Sequence, residues 1–89
     1  MFYYVYVLQS IKDKSLYIGF TEDLKRRLNE HNSGKNISTK KSLPHKIIFY
    51  EAFLDKSDAL NREKYLKSGW GHRSIKTLLN DYLNTDLIR

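Results

Sequence analysis

The sequence predicts an α+β domain: a three-stranded antiparallel sheet flanked by three helices, in the order β-β-α-β-α-α. Three observations carry this reading. Two short runs rich in aromatic and β-branched residues, "FYYVYVL" and "LYIGF", flank the polar turn "SIKDKS", which is the pattern of a hairpin. A third such run, "KIIFYEAF", stands further downstream. The segments between and after these runs place apolar residues at helical spacing.

The elements follow in order. In the first strand, Phe2 to Leu8, Tyr4, Tyr6 and Leu8 share one face and Tyr3, Val5 and Val7 the other. In the second, Leu16 to Phe20, Tyr17 and Gly19 share one face, and Leu16, Ile18 and Phe20 the other. "TEDLKRRLNEHNSG" reads as a helix with Thr21 as its N-cap, Glu22 and Asp23 at the positive end of its dipole, and a stop at Asn32-Ser33-Gly34. Residues 35–46 form a long polar connection with the only proline. "DKSDALNREKYLKSG" predicts a second helix, capped by Asp55 or Ser57 and ended by Gly69. "HRSIKTLLNDYLNTDL" predicts a third, a packing helix on Ile75, Leu78, Leu79, Tyr82 and Leu83.

Composition sets bounds on function. Eighty-nine residues hold one small domain, 1–89, with one core. Cysteine is absent, which excludes disulfides and thiolate zinc sites. No apolar run reaches the ~20 residues of a membrane span, and the N-terminus lacks the features of a signal peptide. A cytoplasmic location and no membrane partner are the expectations. The net charge of +6 favours a polyanion, nucleic acid above all.

The candidate site comes from polar residues on apolar stripes. A helix advances about 100° per residue. Measured from Leu24, His31 falls inside the apolar stripe, Arg27 on its border, and Arg26 on the far side. In the second helix Glu63 falls between Ala59 and Leu60, on the stripe that also holds Leu66. A carboxylate there needs a partner or a metal. The ordinary explanations are an ion pair with Lys67 at i+4 or with Arg27, a half-buried hydrogen-bonded histidine, and tyrosines that fill the sheet. No acid occurs between Glu30 and Glu51, a window that holds Lys35, Lys40, Lys41 and Lys46. These lysines suit the phosphate backbone of a nucleic acid, or else a solvated loop. Trp70 is either a stacking residue for a base or a hinge anchor between the last two helices.

One chemistry employs all of these groups. Phosphodiester hydrolysis needs a base to prepare water, a metal to polarise the phosphate and a cation for the developing charge. A lone carboxylate suits Mg2+ or Mn2+ better than zinc. Tyrosine, with a reference pKa of about 10, becomes a base at neutral pH only with help from cations or bound water.

The ordered set "YVY" (Tyr4 to Tyr6), "YIG" (Tyr17 to Gly19), Arg27, His31 and Glu63 resembles the GIY-YIG nuclease domain, and most closely its small stand-alone bacterial members, which are similar to the N-terminal nuclease domain of the excinuclease ABC system. The resemblance covers nearly the whole chain. It implies a metal-dependent DNA endonuclease of little base specificity and selective for structure, acting in DNA repair or processing. Glu63 would hold one divalent ion and Tyr17 would activate water. Tyr6 would lie near the scissile phosphate, Arg27 would stabilise the pentavalent phosphorus and His31 would assist. Gly19 would let a substrate or a neighbouring tyrosine approach closely. Tyr4 departs from the family's usual glycine and would narrow the space beside Tyr6. The larger relatives carry a separate DNA-reading domain, so specificity here would come from a protein partner. Two other classes use the same residues: a binding module that holds nucleic acid or protein without cleavage, and a structural domain in which Glu63 is simply ion-paired.

Overall fold

A computed structural model of the chain describes residues 1–37 and 39–85. Strands β1 (Tyr3–Ser10), β2 (Leu16–Thr21) and β3 (His45–Phe53) form one antiparallel sheet in the order β2-β1-β3. The helices are α1 (Leu24–Asn32), α2 (Lys56–Leu66), α3 (Gly69–Leu78) and the short α4 (Asn80–Leu83). The expected α+β architecture is therefore present, with the third helix in two pieces.

The central strand has no polar face. Residues 5–10 are all buried, because β1 has a strand on each side and side chains covering both faces. Val5, Val7 and Ile18 point to one face and form the core with Ala59, Leu66 and Ile75 from α2 and α3. On the other face, Tyr6 pairs with Gly19 on β2 and with Tyr50 on β3, and Tyr4 pairs with Thr21 and Ala52. Between Val7 and Leu8 the register with β3 slips by one residue. This bulge leaves Ile48 without a direct partner on β1 and lets both Ile48 and Phe49 reach the core.

Four local expectations are corrected. The N-cap of α1 is Asp23, whose carboxylate accepts from Arg26 N. Thr21 ends β2, and its hydroxyl oxygen accepts from Asp23 N at 3.0 Å. Gly69 does not stop a helix. It opens α3, with Ser68 as the N-cap accepting from Gly71 N. The chain breaks helical geometry at Leu79, so Leu78 is 59% exposed and Ile75 alone is fully buried from that expected packing face. The predicted end of the third helix, at residues 86 and 87, lies outside the described residues. Trp70 is 72% exposed with the Arg73 guanidinium over its ring at 5.3 Å, so it is no buried hinge anchor. No helix among the described residues is long and apolar enough to cross a membrane.

The connection from 35 to 44 is tied down on several sides. Asn32 and His45 exchange two hydrogen bonds, of 2.8 and 3.0 Å. The Ser10 hydroxyl donates to the Ser42 carbonyl at 2.7 Å, and Ile11 N to the Pro44 carbonyl at 2.9 Å. A 3-10 turn, Lys40–Ser42, sits inside it. These contacts do not fit a purely solvated loop. They hold Thr39, which is 2% exposed, against α1.

Candidate active site

The inward face of α1 and the hairpin bring three of the five expected side chains into one hydrogen-bonded chain. Arg27 Nε donates to the Tyr6 hydroxyl at 3.3 Å, and the same oxygen lies 3.1 Å from His31 Nε2. His31 Nδ1 lies 2.8 Å from the Thr39 hydroxyl, which in turn reaches the Asn36 carbonyl at 3.5 Å. One tautomer gives every hydrogen an acceptor. Tyr6 receives from Arg27 and donates to an unprotonated Nε2, Nδ1–H donates to Thr39, and Thr39 donates to Asn36. The opposite tautomer would leave the buried Tyr6 proton with no acceptor.

Electrostatics agree with this assignment. Burial, aided by the neighbouring charges of Arg27 and His45, lowers the His31 pKa from 6.5 to about 4, so the ring is neutral at physiological pH. Burial also pushes the Tyr6 phenol above its ordinary 10.0. The hydrogen bond and charge of Arg27 pull it the other way, while the charges of Tyr17 and Glu63 add to the rise.

Gly19 makes this packing possible. A Cβ at that position would run into the Tyr6 ring and hydroxyl. The close approach of a neighbouring tyrosine, expected from the "YIG" triplet, is what the structure contains. Tyr17 meets His31 edge-on with ring centroids 5.1 Å apart. Tyr4 instead stands edge-on to Tyr50, with centroids 5.8 Å apart.

Glu63 makes one of the two ordinary pairings and not the other. Its Oε2 lies 3.1 Å from Lys67 Nζ, the expected i+4 pair. Arg27 pairs not with Glu63 but with Glu30, Nη1 to Oε1 at 3.1 Å. Leu60 is 41% exposed, so the stripe that Glu63 borders is narrower than expected. Glu63 Oε1 and Arg27 Nη2 make no hydrogen bond or ion pair to the described residues, and both side chains retain some exposure, 20% and 33%. An open hollow of about 520 Å3 runs past Arg27, lined also by Phe20, Thr21, Asp23 and Glu30. Among the described residues no three acidic or histidine side chains cluster as a metal cage. A single free carboxylate oxygen fits a hydrated Mg2+ or Mn2+ ion that takes its other ligands from water and phosphate, and does not fit zinc.

The four lysines are exposed but do not form one unit. Lys35 follows α1, Lys40 and Lys41 lie on the 3-10 turn directly after Thr39, and Lys46 is on β3 with its ammonium over the Tyr82 ring at 5.3 Å. Thr39 is the member of the site that the sequence did not offer. A threonine among lysines and serines carries no periodic signal. Only the turn that returns the chain to α1 makes it a partner of His31. His45 likewise lies buried beside His31, ring centroids 6.4 Å apart, with Nε2 bonded to the Ser42 hydroxyl at 3.1 Å.

Comparison with known proteins bears on the family and the fold. The GIY-YIG catalytic domain family model matches residues 2–74. A UPF0213 protein of Lacticaseibacillus paracasei is 42% identical over 81 residues, covering 90% of this chain and 89% of its own length. The UPF0213 protein YsiG of Lactococcus lactis is 39% identical over 88 residues, covering 98% of this chain and 80% of its own length. The solution structure of a UPF0213 protein from Bacillus halodurans superposes with a TM-score of 0.54 at 34% identity, over 88% of this chain and 85% of that one.

Proposed function

This chain belongs to the GIY-YIG catalytic domain family, and we propose that it is a metal-dependent endonuclease that hydrolyses phosphodiester bonds in DNA with little base specificity. The observation that carries this reading is the Arg27–Tyr6–His31–Thr39 chain, packed over Gly19 of the "YIG" triplet. A structural ion pair explains neither the open Nη2 of Arg27 nor a neutral histidine bonded to a buried phenol.

Arg27 donates Nη2 to a phosphate oxygen, while Nε and Nη1 stay fixed on Tyr6 and Glu30 and so hold the guanidinium in place. Glu63 would hold one Mg2+ or Mn2+ ion, which would polarise the phosphate and lower the cost of ionising water. Tyr17, at the edge of His31, accepts a hydrogen bond from the attacking water and orients it. Tyr6 fixes the phosphate's neighbour, Arg27, and is itself fixed by His31. A second assignment has a specific observation in its favour: Tyr6, not Tyr17, has an acceptor ready for its proton in His31 Nε2. In that version Tyr6 takes the proton from water as its own moves to His31. Lys35, Lys40 and Lys41 meet the backbone of the substrate, and specificity beyond that comes from DNA structure or a partner protein.

The test is cleavage of branched, nicked and single-stranded DNA in manganese by the wild type and by Glu63→Ala. Cleavage by the wild type that the variant loses is expected. Cleavage that survives in Glu63→Ala, or a wild type that only binds DNA, overturns the reading.

A further inference from the structure

One part of the sheet face beside the site is open among the described residues. Tyr6 and Tyr50 are direct cross-strand partners, and Tyr4 and Ala52 form the next pair on the same face. Tyr6 is 1% exposed, whereas Tyr50 is 54% exposed and Ala52 is exposed as well. Tyr4 meets the Tyr50 ring edge-on at 68°, which fixes the ring's angle and leaves much of it open. A rigid aromatic surface thus begins one side chain away from the phenol that Arg27 and His31 hold. Ala52 leaves the space next to it clear.

We propose that Tyr50, braced by Tyr4, is a stacking step for an unpaired nucleobase adjoining the phosphate at Arg27, so that the substrate class is nucleic acid carrying an unpaired nucleotide at the cleavage position. The place of the phosphate rests on the nuclease reading above. The occupant follows from the surroundings. The chain carries a net charge of +6, and Arg27 bonds the phenol of Tyr6, the cross-strand partner of Tyr50, a combination suited to a polyanion with π-faces rather than to an apolar peptide. A base inside a duplex has both faces covered by its neighbours. Only a flap, an overhang or a single strand can give one up to the protein, and such a step reads strand structure without reading sequence.

The experiment measures binding without turnover, in EDTA. Duplexes of DNA, and in parallel of RNA, carry 2-aminopurine either in a short single-stranded overhang or inside a blunt duplex. Wild-type protein is expected to quench the overhang base and to bind that duplex about tenfold tighter than the blunt one. Tyr50→Ala is expected to lose the quench and the preference with an unchanged unfolding midpoint, and Tyr50→Phe to keep both. Equal binding of overhang and blunt duplexes, no binding of either, or a Tyr50→Ala variant that keeps the quench overturns the proposal and leaves this face to a protein partner. Quenching without cleavage in manganese supports the stacking step and sinks the nuclease reading instead. Cleavage indifferent to Tyr50 does the reverse.

Discussion

The Tyr6 hydroxyl and His31 Nε2 lie 3.1 Å apart in the buried centre of the molecule, 25 residues apart in sequence. The phenol has its proton directed at a neutral imidazole and its lone pairs directed at Arg27. Burial disfavours charge on both rings, so the pair is neutral at physiological pH. Such a pair holds the arginine in place and keeps a proton acceptor one step from the surface.

Removing the phenol oxygen tests this directly. Tyr6→Phe keeps the ring that packs over Gly19 and deletes the link from Arg27 to His31. Cleavage is expected to fall by about a hundredfold or more, and Tyr17→Phe to fall comparably if Tyr17 prepares the water. A Tyr6→Phe enzyme near wild-type rate beside an inactive Tyr17→Phe would assign Tyr6 to packing alone.

His31 makes stability fall in acid. Its pKa is 6.5 when unfolded and about 4 when folded, so the unfolded chain binds the proton more tightly between those values. Its contribution is complete above pH 6.5 and is lost as pH falls toward 4. From pH 7 to 5 the loss is on the order of 2 kcal/mol. His45, also lowered by burial, acts in the same direction. Urea titrations across this range should show the loss, and His31→Gln should flatten most of it. A variant with the wild-type slope would place the titration elsewhere.

Thr39 positions His31 from outside the helix. Thr39→Val leaves the buried Nδ1–H without an acceptor and is expected to cost about 1–3 kcal/mol. Thr39→Ser restores the oxygen. If Thr39 fixes the tautomer, Val lowers the cleavage rate and Ser rescues it with little change in KM. Loss of stability with an unchanged rate in the remaining folded protein would make its role structural only.

Gly19→Ala forces a methyl group into the Tyr6 ring. A destabilisation of about 1–3 kcal/mol is expected, together with weaker cleavage as Tyr6 shifts off Arg27. Thermal unfolding and the cleavage assay on one preparation check both. An alanine variant of wild-type stability would mean that the hairpin yields more easily than its packing implies.

The parts of this arrangement that were legible in the sequence are those set by a period. Alternation put Tyr6 and Tyr17 with Gly19 on consistent faces, and the helical repeat separated inward Arg27 from outward Arg26 and put His31 in the stripe. The i+4 spacing gave Glu63–Lys67. Features set by long-range return of the chain were not legible. Nothing local marks Thr39 as the partner of His31, whereas the pairing of Arg27 with Glu30 follows the i+3 spacing of α1 and was open to a local reading. The slip opposite Leu8 follows from the packing of β3, and the break at Leu79 has no glycine or proline to announce it. The N-cap of α1 moved two residues because Thr21 was still needed by the sheet, and Asp23 offered an equally good acceptor.

The most direct test of the central claim is a crystal structure with manganese and an oligonucleotide bearing an uncleavable linkage. The expected result is an anomalous manganese peak within coordination distance of the Glu63 carboxylate and a phosphate oxygen on Arg27 Nη2, both beside Tyr6. Manganese away from Glu63, or a phosphate bound elsewhere with Nη2 still in solvent, would contradict it.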